Sequence, residues 1–221
     1  AYGEAYADGE PWDWAKVREL AMELTVDAAG YAASEDEFDA ETTEQWGFVI
    51  QWSDPRGYPT HFGAGHVWNE ETGEAQMPEH WAEYYNWMYN GIWEEGWYPN
   101  DAQQGSDLLG AGNPFSSGNV AMTATHLWYT CCIEDDGWQA APMPEYDGVA
   151  TAKLHADTFR ILNTTENPEE AFEVLTYLIG DASLDLLSVY GGMPAREADR
   201  EAFFAGLDEK YPQGVDWNVV M

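Results

Sequence analysis

Apolar side chains recur at helical spacing in several stretches of the chain. The first predicted helix runs over about residues 14–24, with Asp13 as a suitable N-cap. The second is predicted between Pro78, which can open a helix, and Gly96, which can end one. Its apolar stripe is unusually aromatic, and we expect this stripe to face the core. Its members are Trp81, Tyr84, Tyr85, Met88, Tyr89, Ile92 and Trp93.

A third predicted helix is marked clearly at its start. Asn167 is expected to cap it and Pro168 to open it, and two glutamates follow in the first turn, where the helix dipole favours negative charge. A shorter helix is predicted over about 184–190, and it breaks at a pair of glycines. The third helix carries an apolar stripe that we expect to be buried, formed by Ala171, Phe172, Leu175, Leu178 and Ile179.

Runs of apolar and β-branched residues predict strands between the helices. The ranges are 46–52, which ends at the aromatic Trp52, and the shorter stretches 120–123 and 138–143. Strands that alternate with helices in this way favour an α/β fold.

The charge balance restricts what the chain can bind. Lysine and arginine total 8, aspartate and glutamate total 41, and the net charge is −33. An unopposed anionic surface repels phosphate backbones and anionic lipids, so we expect neither nucleic acid nor a membrane surface as a partner. The acidity indicates either a salt-adapted source or a moderately acidic secreted protein without a salt requirement.

Aromatic residues and cysteines narrow the chemistry further. The chain has 12 Trp and 13 Tyr, which indicates either a tryptophan-rich core or a surface that stacks on flat ligand faces.

The two cysteines, Cys131 and Cys132, are adjacent, and we expect two buried thiols. No apolar window of about 18 residues predicts a membrane span. The start at Ala1 is typical of a mature or excised fragment.

Several short segments follow one another in a characteristic order. They are PWDW at 11–14 with LTVD at 24–27, WGF at 46–48, FSSGNVAM at 115–122, APMP at 141–144, NPEEA at 167–171 and GGMPAR at 191–196. In this order and spacing the chain resembles the family 1 extracellular solute-binding proteins, which include the maltose-binding proteins. It departs from the family pattern at Asp13, where Thr is usual, and at His126, where a Gly precedes the tryptophan at position 128.

The resemblance implies an α/β fold of the type II periplasmic-binding-protein kind, with a mixed sheet flanked by helices. Residues 1–140 and 181–221 would form the C-terminal lobe, and residues 141–180 would cross to the other lobe, most of which lies outside this sequence. The implied function is the carbohydrate-binding component of an ABC importer, with the permease subunits as partners. It implies no catalysis and no cofactor, and a place outside the cytoplasm, in the periplasm or as a cell-surface lipoprotein.

A sugar-binding site needs aromatic rings for the C–H face of the sugar and planar polar groups for its hydroxyls. By resemblance, Trp128 is the first candidate for stacking, and its neighbours His126 and Tyr129 are candidates for hydrogen bonds to the ligand. Trp52 is a second candidate ring or, equally, a buried strand residue. Asp54, just beyond that strand, is a polar candidate.

Five further residues are weaker candidates. Gly191 and Gly192 allow a ligand to approach the backbone closely, or they simply end a helix. Arg196 either holds this loop by an ion pair or donates to ligand hydroxyls. Trp68 and His66 are candidates for the mouth of the cleft.

Other function classes stay open at this point. A secreted glycoside hydrolase or a carbohydrate-binding module would also be acidic and rich in tryptophan, but no motif indicates a catalytic carboxylate pair. His61 and His66 lack the i, i+4 spacing of a zinc helix, and the acidic turn at 69–74 lacks the EF-hand order, so no metal is expected. Within the transport class, the ligand could instead be a peptide or another small solute.

Overall fold

The computed structural model describes residues 10–54, 56–133 and 137–220. They fall into two units. Unit 1 takes its described residues from Ala1–Thr125 and Ala141–Lys153, and unit 2 takes its described residues from His126–Ala140 and Leu154–Met221. The lobe boundaries expected from the sequence stay predictions.

Groups of helices and groups of strands follow one another along the chain. The helices are α1 (Trp14–Leu24), α2 (Glu79–Tyr89), α3 (Asp101–Gln104), α4 (Pro168–Ile179), α5 (Ser183–Tyr190) and α6 (Glu197–Lys210). The strands are β1 (Val26–Asp27), β2 (Thr43–Ile50), β3 (Trp68–Asn69), β4 (Glu74–Ala75), β5 (Val120–Ala124), β6 (Glu145–Tyr146) and β7 (Val149–Ala150). No helix in the described ranges is both long enough and apolar enough to cross a bilayer.

A mixed three-stranded sheet forms the centre of unit 1. β2 lies between β1, which is antiparallel to it, and β5, which is parallel to it. Residues 46–50 of β2 are all buried, which is typical of a strand covered on both faces. Helix α1 approaches this strand at Gly47, where a Cβ atom would lie 2.1 Å from the backbone oxygen of Ala21. Only glycine permits this contact between helix and sheet.

Helix α1 begins and ends where the sequence predicts. The side chain of Asp13 accepts a hydrogen bond from the backbone N–H of Lys16 at 2.7 Å and so caps the first turn. Trp14 lies in the core, and its indole Nε1 donates to the backbone oxygen of His61 at 2.8 Å. The cap and the buried indole together fix the position of the helix on the sheet.

The aromatic stripe of α2 is only partly buried, so that prediction is partly wrong. Trp81 and Tyr84 are buried, whereas Tyr89 and Trp93 are 55% and 62% exposed. Tyr89 is the last residue of α2, and Trp93 lies in the π-helical turn Asn90–Glu94 that follows it. The α-helical spacing of the stripe therefore does not extend to Trp93. Trp87, which the predicted stripe omits, packs edge-on against the Trp97 ring with centroids 4.8 Å apart.

Helix α6 and the turn after it build the core of unit 2. The buried apolar residues in this part of unit 2 are Phe203, Phe204, Leu207, Tyr211, Val215 and Trp217. The hydroxyl of Tyr211 donates to the backbone oxygens of Thr130 and Ile133, at 2.7 and 2.8 Å. The ammonium group of Lys210 also donates to the Thr130 oxygen. These bonds tie the 3-10 helix Leu127–Cys131 to α6.

Helix α4 forms where the sequence predicts it, but its apolar stripe is not buried. None of residues 168–179, all of which the structure describes, is buried, and Phe172 is 60% exposed. Asn167 occupies the N-cap position but makes no capping hydrogen bond with its side chain. The expectation of a fully buried stripe is wrong: Ala171, Leu175 and Leu178 are half-buried, whereas Phe172 and Ile179 are exposed.

Three other expectations are also corrected. β2 ends at Ile50, so Trp52 lies outside it, and residues 138–143 form no strand. Cys131 and Cys132 form a disulfide with each other, and both residues are exposed. Cys131 is the last residue of the 3-10 helix and Cys132 is its C-cap, and the burial expected for two free thiols does not occur.

Candidate functional site

An exposed group of rings and polar side chains in unit 2 is the strongest candidate site. We call it the tryptophan–histidine cluster, and its members are His126, Trp128, His155, Asp157 and Tyr190. The 3-10 helix Leu127–Cys131 places Trp128 in a half-buried position, while the adjacent Tyr129 is 1% exposed. The buried Tyr129 anchors the short helix, and Trp128, one residue before it, remains accessible.

Close backbone packing brings Tyr190 to Trp128. At Gly191, which caps α5 with a φ of 83°, a Cβ atom would lie 2.5 Å from the backbone oxygen of Trp128. The end of α5 can therefore contact the 3-10 helix only with glycine at this position. As a result the rings of Trp128 and Tyr190 lie nearly parallel, 13° apart in plane, with centroids 6.3 Å apart.

Polar groups surround the edge of the Trp128 ring. Its indole Nε1 donates to Nδ1 of His155 at 2.8 Å, and the rings of His126 and His155 have centroids 4.8 Å apart. Nε2 of His155 lies 3.8 Å from Oδ1 of Asp157. A hydrogen bond to Asp157 raises the pKa of Tyr190 to about 12, which keeps that phenol neutral over the physiological range.

The cluster combines the two features that a sugar site needs. The indole and phenol faces can stack on the apolar C–H face of a sugar, and the imidazole and carboxylate groups can bond its hydroxyls. The sequence indicates Trp128 and His126 correctly as neighbours. It gives no signal for His155, Asp157 or Tyr190, because their approach depends on the path of the chain between residues 128 and 190.

A second candidate region lies at the end of β2 in unit 1. Trp52 is 43% exposed and has a φ of 61°, a left-handed conformation that is unfavourable for a bulky residue. Such strained residues cluster at ligand-binding sites. The position therefore excludes the alternative of a buried strand tryptophan.

Asp54, two residues after Trp52, makes hydrogen bonds within the loop. Its Oδ1 accepts from the backbone N–H groups of Arg56 and Gly57, at 2.9 and 3.1 Å, and its Oδ2 accepts from Nζ of Lys153 at 2.5 Å. The Lys153 ammonium, followed by the Arg56 amide, holds the pKa of this carboxyl well below its usual range. Asp54 thus fixes the loop after Trp52, and its oxygens are largely engaged.

A shallow open depression of about 440 Å³ lies beside the β3–β4 hairpin of unit 1. Trp68 is 54% exposed on β3, and Gln76 donates to the backbone oxygen of His66 at 2.9 Å. The depression is lined by His66, Trp68, Asn69, Glu70, Glu71 and Gln76. It brings Trp68 and His66 together, next to amide and carboxylate groups, and their place at the mouth of a cleft stays a prediction.

The remaining sequence candidates have less access to a ligand. The ring of Tyr129 packs inside unit 2, and Gly191 is buried against the 3-10 helix backbone. Gly192 is half-buried beside the Tyr190 ring, and Arg196 is exposed at the start of α6. Within the ranges that the structure describes, no group of three or more His, Cys, Asp or Glu residues could hold a metal ion.

Comparisons with known proteins support the fold. The chain matches M. tuberculosis UspC with a TM-score of 0.61 and 20% identity, over 92% of this chain and 51% of that one. It also matches the maltose/maltodextrin-binding domain MalE from Bdellovibrio bacteriovorus, bound to maltotriose, with a TM-score of 0.59 and 15% identity over 95% of this chain and 56% of that one. The chain has a periplasmic-binding-protein-like α/β fold. No protein-family profile and no curated protein matches it.

The chain therefore spans about half the length of the solved structures that it matches. At these identities the likeness establishes the fold alone. The α/β class expected from the alternation of helices and strands is confirmed.

Proposed function

We propose that this chain is part of the substrate-binding component of an ABC importer, which captures a carbohydrate in an interlobe cleft and delivers it to the membrane permease. The tryptophan–histidine cluster is the observation that carries the proposal. Support also comes from the fold shared with MalE, which was solved with bound maltotriose. We propose an oligosaccharide as the ligand and an extracytoplasmic location for the protein.

The geometry of the cluster suits a sugar better than a charged solute. Trp128 and Tyr190 present two nearly parallel rings, and the polar groups beside them include both donors and acceptors. A sugar ring offers hydroxyls that donate and accept at its edge, so both kinds of group can be satisfied at once. The negative charge of the protein is spread along the chain and does not single out a cationic ligand.

Unit 2 carries a surface that fits a second lobe. Residues 154–161 form no backbone–backbone hydrogen bond with any other described residue, and the exposed apolar residues here include Leu154, Phe159 and Ile161. The exposed face of α4 follows directly in sequence. An unpaired extended segment followed by an amphipathic helix is what one strand–helix unit of an α/β layer contributes.

We propose that residues 154–179 complete a second lobe formed by residues of the same protein outside this sequence. About half of each matched structure has no counterpart in the chain, which leaves enough protein for such a lobe. The sheet of that lobe would pair with residues 154–161 and cover the apolar face of α4. The ligand cleft would then be closed from two sides, and affinity would depend on both.

Calorimetry on the full-length protein tests the function. We expect one or more of maltotriose, cellotriose and xylotriose to bind at high salt without release of reducing ends. Release of reducing ends would contradict the receptor function and indicate a glycoside hydrolase. If the folded protein binds none of the sugars but binds a peptide, the ligand is not a carbohydrate.

A further inference from the structure

The indole of Trp128 has a specific hydrogen-bond acceptor in the cluster. An indole N–H can only donate, and the atom that accepts from it is Nδ1 of His155, 2.8 Å away. Nδ1 can accept only when it carries no proton. In the neutral imidazole the proton must therefore be on Nε2, which lies 3.8 Å from Oδ1 of Asp157. Trp128, His155 and Asp157 thus form a chain in which each group sets the orientation of the next.

Protonation of His155 is incompatible with this arrangement. Both nitrogens of an imidazolium are donors, so the Trp128 N–H would face another N–H at hydrogen-bond distance. The two donors repel each other, so one of the two rings must turn or move away. The hydrogen bond that holds the Trp128 indole is therefore lost when His155 is charged.

Charged and titratable groups face His155 from several elements. Oδ1 of Asp157 lies 3.8 Å from its Nε2, and the ring of His126 has its centroid 4.8 Å away. Tyr190, which is bonded to Asp157, stays neutral because its pKa is raised to about 12.

We propose that His155 is a positioning residue for the ligand-stacking Trp128, and that its protonation releases the indole and weakens ligand binding at acidic pH. The role of Trp128 in stacking rests on the proposed function, whereas the hydrogen bond between the two side chains does not. Only the neutral imidazole holds the ring, so affinity falls when a second proton on His155 removes the acceptor.

The first test needs no ligand. In the ¹H–¹⁵N spectrum of the full-length protein, the indole Nε1–H of Trp128 is assigned by its loss in Trp128→Phe. We expect its chemical shift to titrate between pH 8 and pH 5. In His155→Asn the amide oxygen can accept the same hydrogen bond but does not titrate in this range, so the shift should become flat. His80→Asn, in unit 1, is the control and should leave the titration unchanged.

Two results would overturn the proposal in this experiment. One is an indole shift in the wild type that does not change between pH 8 and pH 5. The other is a titration that persists unaltered in His155→Asn, which would place the responsible group elsewhere.

The second test measures binding of maltotriose, cellotriose and xylotriose at pH 7.5 and pH 5.5. We expect affinity to be lower at pH 5.5 than at pH 7.5 in the wild type, because an imidazolium at His155 cannot accept the Trp128 N–H. We expect it to change much less in His155→Asn, and His155→Ala should bind weakly at both. Sugar binding that is independent of pH would overturn this proposal and leave the proposed function intact. If no sugar binds, the proposed function fails, and the indole titration still decides the role of His155.

Discussion

Single hydrogen bonds orient side chains in both units. Asp13 caps α1 through the backbone N–H of Lys16, three residues away. The indole of Trp128 donates to His155, which lies 27 residues further along the chain.

Asp27 gives a prediction about acid stability. It is buried, and its carboxylate accepts from the backbone N–H groups of Asp39, Tyr31 and Ala29. The bond from Asp39, followed by those from the other amides, holds the pKa of Asp27 below its usual value. The carboxylate therefore contributes stability above the ordinary aspartate pKa, and this contribution is lost as the pH falls through the lowered pKa.

We expect Asp27→Asn to lower the melting temperature most above about pH 5, with the deficit shrinking toward pH 3. Thermal melts of the two proteins between pH 3 and pH 7 measure this difference. Asp36→Asn, on the exposed part of the same loop, serves as the control and should melt like the wild type. A deficit that is the same at every pH would contradict the assigned cause.

At the scale of elements, the closest contact between helix and sheet depends on Gly47. We expect Gly47→Ala to destabilise unit 1 by about 2 kcal/mol, because the new Cβ meets the backbone of α1, which cannot move aside like a side chain. Gly206→Ala in the exposed part of α6 meets nothing within 4 Å and should stabilise by roughly 0.5 kcal/mol. Denaturant unfolding of both variants measures the contrast. Equal effects would contradict the packing.

The exposed face of α4 gives a second prediction at this scale. In the full-length protein we expect Phe172→Glu to cost about 2 kcal/mol or more, because the proposed second lobe buries this ring. Glu173→Ala, on the neighbouring exposed position, should change the free energy of unfolding little. If Phe172→Glu is as mild as the control in urea unfolding, the second lobe does not cover this helix.

The sequence predicts elements well where the pattern is local and less well where burial depends on distant partners. The bounds of α1 follow from its cap and apolar spacing, and those of α4 follow from Pro168 at its first position and from apolar spacing. The end of β2 does not, because Trp52 continues the apolar run but turns into a left-handed conformation. The sequence does not predict helix α6. Only three of its residues are buried, and its first turns are charged, so the apolar pattern along it is weak.

At the scale of the whole molecule, the excess of acidic residues is the feature with the largest expected effect on stability. With a net charge of −33, the folded chain repels itself, and salt screens this repulsion over about 10 Å at 0.1 M and about 3 Å at 1 M. We expect the melting temperature to rise steeply as sodium chloride is raised from 0.1 M to 2 M. A flat response would show that the surface tolerates its charge without salt.

The central claim is that the complete protein is a sugar receptor in which Trp128 stacks on the ligand. Calorimetry of full-length wild type, Trp128→Ala and Trp93→Ala with maltotriose, cellotriose and xylotriose tests it most directly. Trp93 is an equally large ring, 62% exposed in unit 1, and lies outside the candidate sites. We predict that Trp128→Ala loses at least about tenfold in affinity while Trp93→Ala binds like the wild type. Equal binding by all three proteins, or no sugar binding by the folded wild type, would contradict the claim.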